Sequence, residues 1–448
     1  MMTARDWLPP GARPRLLLGA LLLLGPLLLF PSPDARWSLV TPWLAMAIAI
    51  TGTLDIGNRT LRLLVAWFCV SVGAAWWGTP WDDASALRHF SGVALGVLVM
   101  VTVASVCDSQ RNLALASAVF CLGSVALLAV GLISTRLDRA KLIDVVLSNP
   151  VRLGLPGMIE SGYVNPNALG GTAILIAPAA LAIALIPWSS FRRAWMLSVL
   201  GWLLSSLTLF VLLLTQSRSA WAAGLLTILV LGWQRGRNWR VRALTVIGVA
   251  ILSIAVIGTV RELSGNRFDA IVKSSLRSGV DRTQLWGVAV DQLAQSAWLG
   301  IGIDQFRRIN LDPPKDFEMD EPYWHSPHVH NIFLQVLLDV GLVGGVPYVL
   351  LLVVLLRGAD RAAQGPRRLT SCVATGMGLS LVAVHCFGLA DAVALGAKVG
   401  LLQWFAAGLA LSASGLAGGE PRLTSPSASG VFNLTSLFAL VDRRPDEA

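Results

Sequence analysis

Tyr323-Trp324-His325-Ser326-Pro327-His328-Val329-His330-Asn331 runs without a break into Ile332-Phe333-Leu334-Gln335-Val336-Leu337-Leu338-Asp339-Val340-Gly341-Leu342-Val343-Gly344-Gly345. Three of the five histidines of the chain lie in this stretch. It begins as a polar loop broken by proline and becomes an apolar helix. On a helical count His330, Leu334, Leu337, Gly341 and Gly344 follow one another at spacings of four and three and share one face. Glycines on such a face let a second helix approach closely, as small-residue seams do in bilayers. His330 is then expected at the mouth of a packed seam, where apolar phase meets water, a position suited to a proton carrier.

Outward from this stretch the chain is apolar throughout. Of 448 residues, 55% are hydrophobic and 14% charged, and the mean hydropathy is +0.66. A water-soluble domain of this length carries far more charge. Apolar runs recur at roughly 15–31, 37–54, 61–77, 90–107, 112–134, 167–187, 195–215, 219–233, 242–260, 331–356, 370–389 and 394–414, about twelve spans by the usual window of about 20 residues. The expected fold is an all-α polytopic membrane protein, a transmembrane domain over 1–414 followed by a flexible tail, 415–448, rich in Gly, Ser and Pro. The first run, behind Arg13 and Arg15, lacks a small-residue cleavage pattern and reads as a retained span.

Arginines set the expected orientation. Those at 59 and 62, 111, 192 and 193, 235 to 242, and 357 to 368 fall in alternate loops, while the other short loops hold only Arg36, Arg88 and Arg218. The positive-inside rule puts both termini in the cytoplasm and two long loops, 135–166 and 261–330, outside. The net charge of +9 suits anionic lipid and gives no reason to expect nucleic acid. The five cysteines lie in or at the end of apolar runs and imply neither a disulfide framework nor a metal site. Within the second loop, 282–299 is amphipathic: Leu285, Trp286, Ala289 and Leu293 make one face and Gln284, Asp291 and Gln295 lie off it, as in a helix resting at a membrane interface.

Several polar residues stand out on the expected outer side. Arg218, in Thr215-Gln216-Ser217-Arg218-Ser219-Ala220-Trp221, occupies a very short hairpin. A snorkelling helix-end arginine is the bland reading, weakened by the scarcity of arginine in the other short outer loops. Arg282 opens the amphipathic segment, where a solvated loop arginine is the plain alternative. Two guanidiniums facing one site suit a diphosphate, because each can bind phosphate oxygens with two parallel donors. His325, His328 and His330, with Asp320 and Glu321 near, raise a metal reading, but the spacing matches no standard zinc motif; ordinary loop polarity is the commoner explanation of His325 and His328. Asp339 is an acid inside a span, about 13 Å beyond His330 along a helix, and is either functional or paired with a neighbouring helix. Asn167 opens the sixth span as a candidate N-cap or a sugar contact.

The residues resemble the O-antigen ligase and polymerase superfamily of bacterial envelope proteins. The superfamily pattern of His, then Asn, Ser or Gln, nine residues, Gly, two residues, then Gly, Thr or Tyr reads here as His330, Asn331, Gly341 and Gly344. Ser217-Arg218 is similar to the family's membrane arginine. Asp281-Arg282-Thr283-Gln284-Leu285-Trp286, with Trp298 to Phe306, is similar to its outer-loop segment. The resemblance covers about 165 to 356 by motif; Asp339 stands where Glu is frequent. It implies a GT-C-type glycosyltransferase of the bacterial inner membrane, acting at the periplasmic face without metal or cofactor. The donor would be a glycan on undecaprenyl pyrophosphate and, for a ligase, the acceptor the lipid A–core oligosaccharide. The enzyme would act as a monomer with membrane lipids as its other partners. His330 would be the general base. Arg218 and Arg282 would bind and stabilise the pyrophosphate, and Asn331, His328 and Asn167 would complete the substrate site. A single displacement, with no nucleophilic carboxylate evident, would invert the anomeric centre. The alternative in the same class is an O-antigen or exopolysaccharide polymerase, whose acceptor is lipid-linked. A transporter or flippase would carry ionisable residues deep in several spans; here they collect at one face.

Overall fold

The computed structural model describes residues 12–56, 58–135, 164–190, 193–215, 217–235, 246–250, 268–311, 326, 328–391 and 395–417. They form an all-helical bundle. In chain order the helices are α1 (Ala12–Leu29), α2 (Arg36–Gly52), α3 (Arg59–Trp77), α4 (Ala84–Val106), α5 (Gln110–Ser134), α6 (Pro166–Ala184), α7 (Ala194–Thr215), α8 (Arg218–Arg235), α9 (Phe268–Gln295), α10 (Ile332–Ala363), α11 (Arg368–Phe387) and α12 (Gly400–Ala417). Among the described residues nine helices are long and apolar enough to cross a membrane: α1, α3 to α7 and α10 to α12. Two further expected spans are also helical, α2 with 17 residues and the shorter apolar stretch of α8, Arg218–Leu231. Of the expected span 242–260 only 246–250 are described, as helix. The tail from 418 and most of the loops 135–166 and 236–267 lie outside the described residues.

The bundle has two apolar cores. One joins α1 to α4 with α10 and α12 around Phe68, Trp76 and Phe90; the other joins α5 to α7 with α11 and α12 around Phe120, Leu204 and Met377. α10, α11 and α12 pack on one another and hold the halves together, with α3 against α10, α4 against α12, and α6 against α7 and α11. Deep in the bundle one group of buried polar side chains pairs internally, as a bilayer interior favours: His385 Nε2 and Tyr348 Oη lie 2.7 Å apart, and Gln403 donates to the same hydroxyl at 3.2 Å. Leu22, Leu203, Phe210 and other large apolar side chains are exposed on the outside of the helices, where lipid replaces water.

Helix ends follow short-range chemistry. Asp83 caps α4, Asn58 caps α3 and Ser109 caps α5 through side-chain acceptors. At α6 the cap is Asn165, which accepts from the Asn167 N–H at 2.8 Å, with Pro166 at the first helical position. Asn167, expected as the cap, is displaced inward because proline favours the first turn, where its missing N–H is not needed.

α10 corrects the face drawn through His330. Its N-cap is Asn331, so His330 precedes the helix and its backbone is left-handed, with φ of 56°. The helix then breaks at Gly341, with φ 62° and ψ −170°. The partner at that point is the loop after α9 rather than a helix. A Cβ on Gly341 would stand 2.1 Å from the Trp298 carbonyl oxygen, and one on Gly300, φ 74°, would stand 2.3 Å from that of Leu338. The freed backbone groups are satisfied across this contact: Ile301 N–H donates to Leu338 O at 2.7 Å, Leu342 N–H to Ala297 O at 2.8 Å and Val343 N–H to Trp298 O at 3.1 Å. Gly344 does meet a helix, at Ser71 of α3.

The same loop is tied to the α3–α4 corner. Ile303 N–H donates to Thr79 Oγ1 at 3.1 Å. Arg307 and Arg308 both bind the Asp83 carboxylate. Burial alone would push that carboxyl up, but the Ala86 N–H, the Gln305 amide and the two guanidiniums together hold it below the ordinary carboxylate range. Gly341→Ala is expected to cost about 1–3 kcal/mol in backbone strain alone, beyond the clash with Trp298, and to lower the unfolding temperature in detergent by several degrees. Gly287→Ala, on the open side of α9 with nothing within 4 Å of the new carbon, should leave it unchanged or raise it. Equal unfolding temperatures for the two variants would refute this account of the break.

Candidate active site

Four segments meet at one end of the bundle. The first is the α7–α8 hairpin. Arg218 is the first residue of α8 and is exposed, while Ser217 behind it is fully buried and receives Gly170 of α6 at close range. The second is α9. Its face forms as expected: Leu285 and Ala289 are buried, and Gln284, Asp291 and Gln295 are exposed. Those buried residues pack with Phe306, Leu311, Val329 and Leu338, and this directs Arg282, one turn earlier, toward the end of α11. The third is 326–331, entering α10. The fourth is the turn after α11, Gly388 to Asp391. Ile332 N–H donates to Gly388 O at 2.7 Å and the Asn331 amide to Leu389 O at 3.2 Å, so the third and fourth segments are stitched together.

Asp391 is the centre of this assembly. Its side chain is only 7% exposed, and among the described residues it meets His330 Nδ1 at 3.0 Å from Oδ1, His328 Nε2 at 3.7 Å from Oδ1, and an Arg282 guanidinium nitrogen at 3.6 Å from Oδ2. His328 and His330 are tilted rings with centroids 4.3 Å apart. Arg218 lies near enough to Arg282 for their charges to repel. Of the residues expected at the site, Arg218, Arg282, His328 and His330 are therefore brought together. Asn331 is at the site but spends its side chain on structure, its oxygen accepting from Phe333 and Leu334 N–H at 3.0 and 3.1 Å. Asn167 stands in the first turn of α6, beside the Arg218 hairpin through Gly170. Among the described residues no hydrogen bond or ion pair joins it to the Asp391 cluster. Asp339 lies one helical turn below Gln335 in α10, where it accepts from the Gln335 amide and from Asp304 N–H. His325, Asp320 and Glu321 lie outside the described residues.

Asp391 was not singled out from the sequence. It sits 61 residues from His330, in Phe387-Gly388-Leu389-Ala390-Asp391-Ala392-Val393. The available signal was an acid between two spans on the expected outer side, in a setting otherwise apolar.

The chemistry of the cluster follows from these contacts. A carboxylate facing Nδ1 favours the tautomer with the proton on that nitrogen, which leaves Nε2 of neutral His330 as a free acceptor. Two guanidiniums held near each other gain by having an anion between them. His328, His330 and Asp391 offer three ligand atoms within 4.8 Å of one another, the number of protein ligands in a catalytic zinc site. The guanidinium of Arg282 on the same carboxylate opposes a divalent cation there by direct charge repulsion.

Residues 203–349 match the family model described as O-antigen ligase. The match supports membership of the O-antigen ligase/polymerase superfamily. No curated protein matches the chain. The matched stretch runs from α7 to the middle of α10. It includes Arg218, Arg282, His328 and His330 and stops short of Asp391. Members of the family are glycosyltransferase-like enzymes of polysaccharide biosynthesis, and lipid-linked glycans and membrane lipids are the substrates and surroundings it implies.

Metal dependence can be decided directly. Protein treated with EDTA is expected to keep its transfer activity. Activity abolished by the chelator and restored by zinc would make His328, His330 and Asp391 a metal site.

Proposed function

We propose that the protein is an O-antigen ligase of the bacterial inner membrane. It transfers a glycan from undecaprenyl pyrophosphate to the lipid A–core oligosaccharide at the periplasmic face, as a GT-C-type, metal-independent, inverting enzyme. The observation that carries the reading is the Asp391 contact, which holds a histidine with a free Nε2 beside two clustered arginines. That pairing answers both demands of the reaction. A glycosyl diphosphate already has a good leaving group, so the protein must remove a proton from the attacking hydroxyl and neutralise the departing pyrophosphate.

His330 Nε2 takes the proton of the acceptor hydroxyl as its oxygen bonds to the anomeric carbon. The bond from that carbon to the pyrophosphate oxygen breaks, and its electron pair leaves on the diphosphate. Arg218 and Arg282 face the charge that develops there. Asp391 stabilises the imidazolium formed. His328, Asn331 and Asn167 border the sugar. The orientation fits the same scheme: the four segments of the site are all loops that the arginine distribution assigns outside, so both termini fall in the cytoplasm and 1–414 forms the membrane domain.

His330→Ala should lower turnover by roughly 10²–10⁴-fold with donor affinity kept. Arg218→Ala and Arg282→Ala should weaken donor binding as well, and Lys at either place should restore it only in part. These are measured as turnover and donor affinity in liposomes, beside an unfolding curve for each variant. Well-folded His330→Ala protein transferring glycan at the wild-type rate would sink the mechanism. Asp391→Asn keeps the shape but removes the charge, and should lower turnover by at least about 10-fold; an unchanged rate would show that the carboxylate is only structural. A lipopolysaccharide gel from a deletion strain separates the acceptors. Loss of the ladder with the core retained means a ligase, whereas a single-repeat band means a polymerase.

A further inference from the structure

We infer that Gln335 is a positioning residue for His330, locked in its working orientation by Asp339. The inference rests on the reading of His330 as the base. His330 has a left-handed backbone, which a residue with a side chain adopts at a cost and keeps only where its surroundings hold it. The residue before it is held on both sides. Val329 N–H donates to Gln335 Oε1 at 3.2 Å, and Val329 O accepts from Trp286 Nε1 at 3.1 Å. Val329 is fully buried, so neither backbone group has water as a substitute, and leaving one unpaired is costly.

Gln335 could perform this task in only one of its two amide orientations, because Val329 N–H needs an oxygen. Asp339 selects it. Gln335 Nε2 donates to Asp339 Oδ1 at 2.9 Å, and the same oxygen accepts from Asp304 N–H, so it stands as an acceptor toward both. The nitrogen is therefore fixed toward Asp339 and the oxygen toward Val329. Asp339 is held in turn by Asp304 N–H at 3.2 Å, and the Asp304 carboxylate by Arg307 Nε at 2.9 Å. Asp304 also has a left-handed backbone, φ 59°. A line of hydrogen bonds thus runs from the α3–α4 corner, through Arg307, Asp304, Asp339 and Gln335, to the backbone beside the base. This gives the acid within α10 a use other than proton transfer. Trp286, on α9, is the second positioning residue, holding the other peptide group of Val329, the one shared with His330.

Gln335→Met keeps the volume and removes the amide. It should lower kcat by roughly 10- to 100-fold, the scale expected of a small misplacement of a reacting group, with the donor KM unchanged because both arginines remain. Gln335→Glu alone sets two carboxylates face to face and should be as impaired. Combined with Asp339→Asn it should recover most of the lost kcat, since the asparagine amide can donate to the new carboxylate and its oxygen can still accept from Asp304. A second readout does not depend on transfer at all: the rate at which diethylpyrocarbonate modifies His330, followed by mass spectrometry as the ratio of modified to unmodified peptide. That rate should rise severalfold in Gln335→Met and return in the double variant. Trp286→Phe, which keeps the ring and removes the donor, should shift both readouts in the same direction and stands in if Gln335→Met does not fold. Unchanged kcat together with unchanged His330 modification would overturn the inference. Altered modification with unchanged kcat would uphold the positioning of His330 and overturn its role as the base. A loss of kcat that the double variant leaves uncorrected, with His330 modified at the wild-type rate, would reduce Gln335 to a packing residue.

Discussion

A helix that breaks inside an apolar bundle frees backbone N–H and C=O groups that no water can reach, and each must find a partner within the protein. α10 breaks at Gly341, and the chain answers with the 297–301 turn, whose carbonyls and amide take up Leu342 N, Val343 N and Leu338 O. This exchange fixes more than the helix. The turn that fills the break is the end of α9, so seating it also seats the α9 face on Val329 and Leu338. Trp286 then reaches Val329, and Arg282 reaches Asp391. A backbone requirement at Gly341 thereby sets the position of a guanidinium about four helical turns away along α9. The tie to the α3–α4 corner through Asp83, Arg307 and Arg308 closes the other side of the same loop and keeps the turn from lifting out.

Asp391 then organises the charges. One buried carboxylate serves two histidines and an arginine, and the balance matters. Without it, Arg218, Arg282 and any proton on His330 would be like charges gathered at one place. With it, the tautomer of His330 is set and Arg282 is aimed, while the guanidinium nitrogens not turned to Asp391 stay available to an anion. The arrangement sets a histidine beside fixed positive charge, which is the combination the proposed transfer from a phosphate-linked donor would use. In the described spans the polar groups deep in the bundle, such as His385, Tyr348 and Gln403, are spent on one another.

Much of this was legible in the residues themselves. Among the described residues the apolar runs marked eleven helices, most to within three residues and α4, α10 and α12 only to within seven; the α9 face was read from Leu285, Trp286, Ala289 and Leu293, though it packs on Phe306, Val329 and Leu338 rather than resting at a membrane interface; and Arg218, Arg282, His328 and His330 were named before their meeting could be seen. The misreadings have specific causes. A helical period was carried one residue back past the Asn331 cap, which placed His330 on a helix face it does not share. Gly341 was read as a seam for a helix because spacing shows that a backbone comes close but not whose backbone it is. Asn167 was taken as a cap because Pro166, the stronger signal for the first helical position, moves the cap to Asn165.

What the sequence determined by itself is therefore what depends on neighbours along the chain: which runs are apolar enough to span, which residues of α9 share a face, and which loops carry the arginines. What only the tertiary structure decided is the company each polar group keeps. Asp391 joins His330 across 61 residues, and Asp339 meets Gln335 and Asp304 rather than a proton path. Such pairings are selected because a charge or amide removed from water must be matched wherever the packed helices happen to bring a partner, and no local pattern in the chain records where that will be.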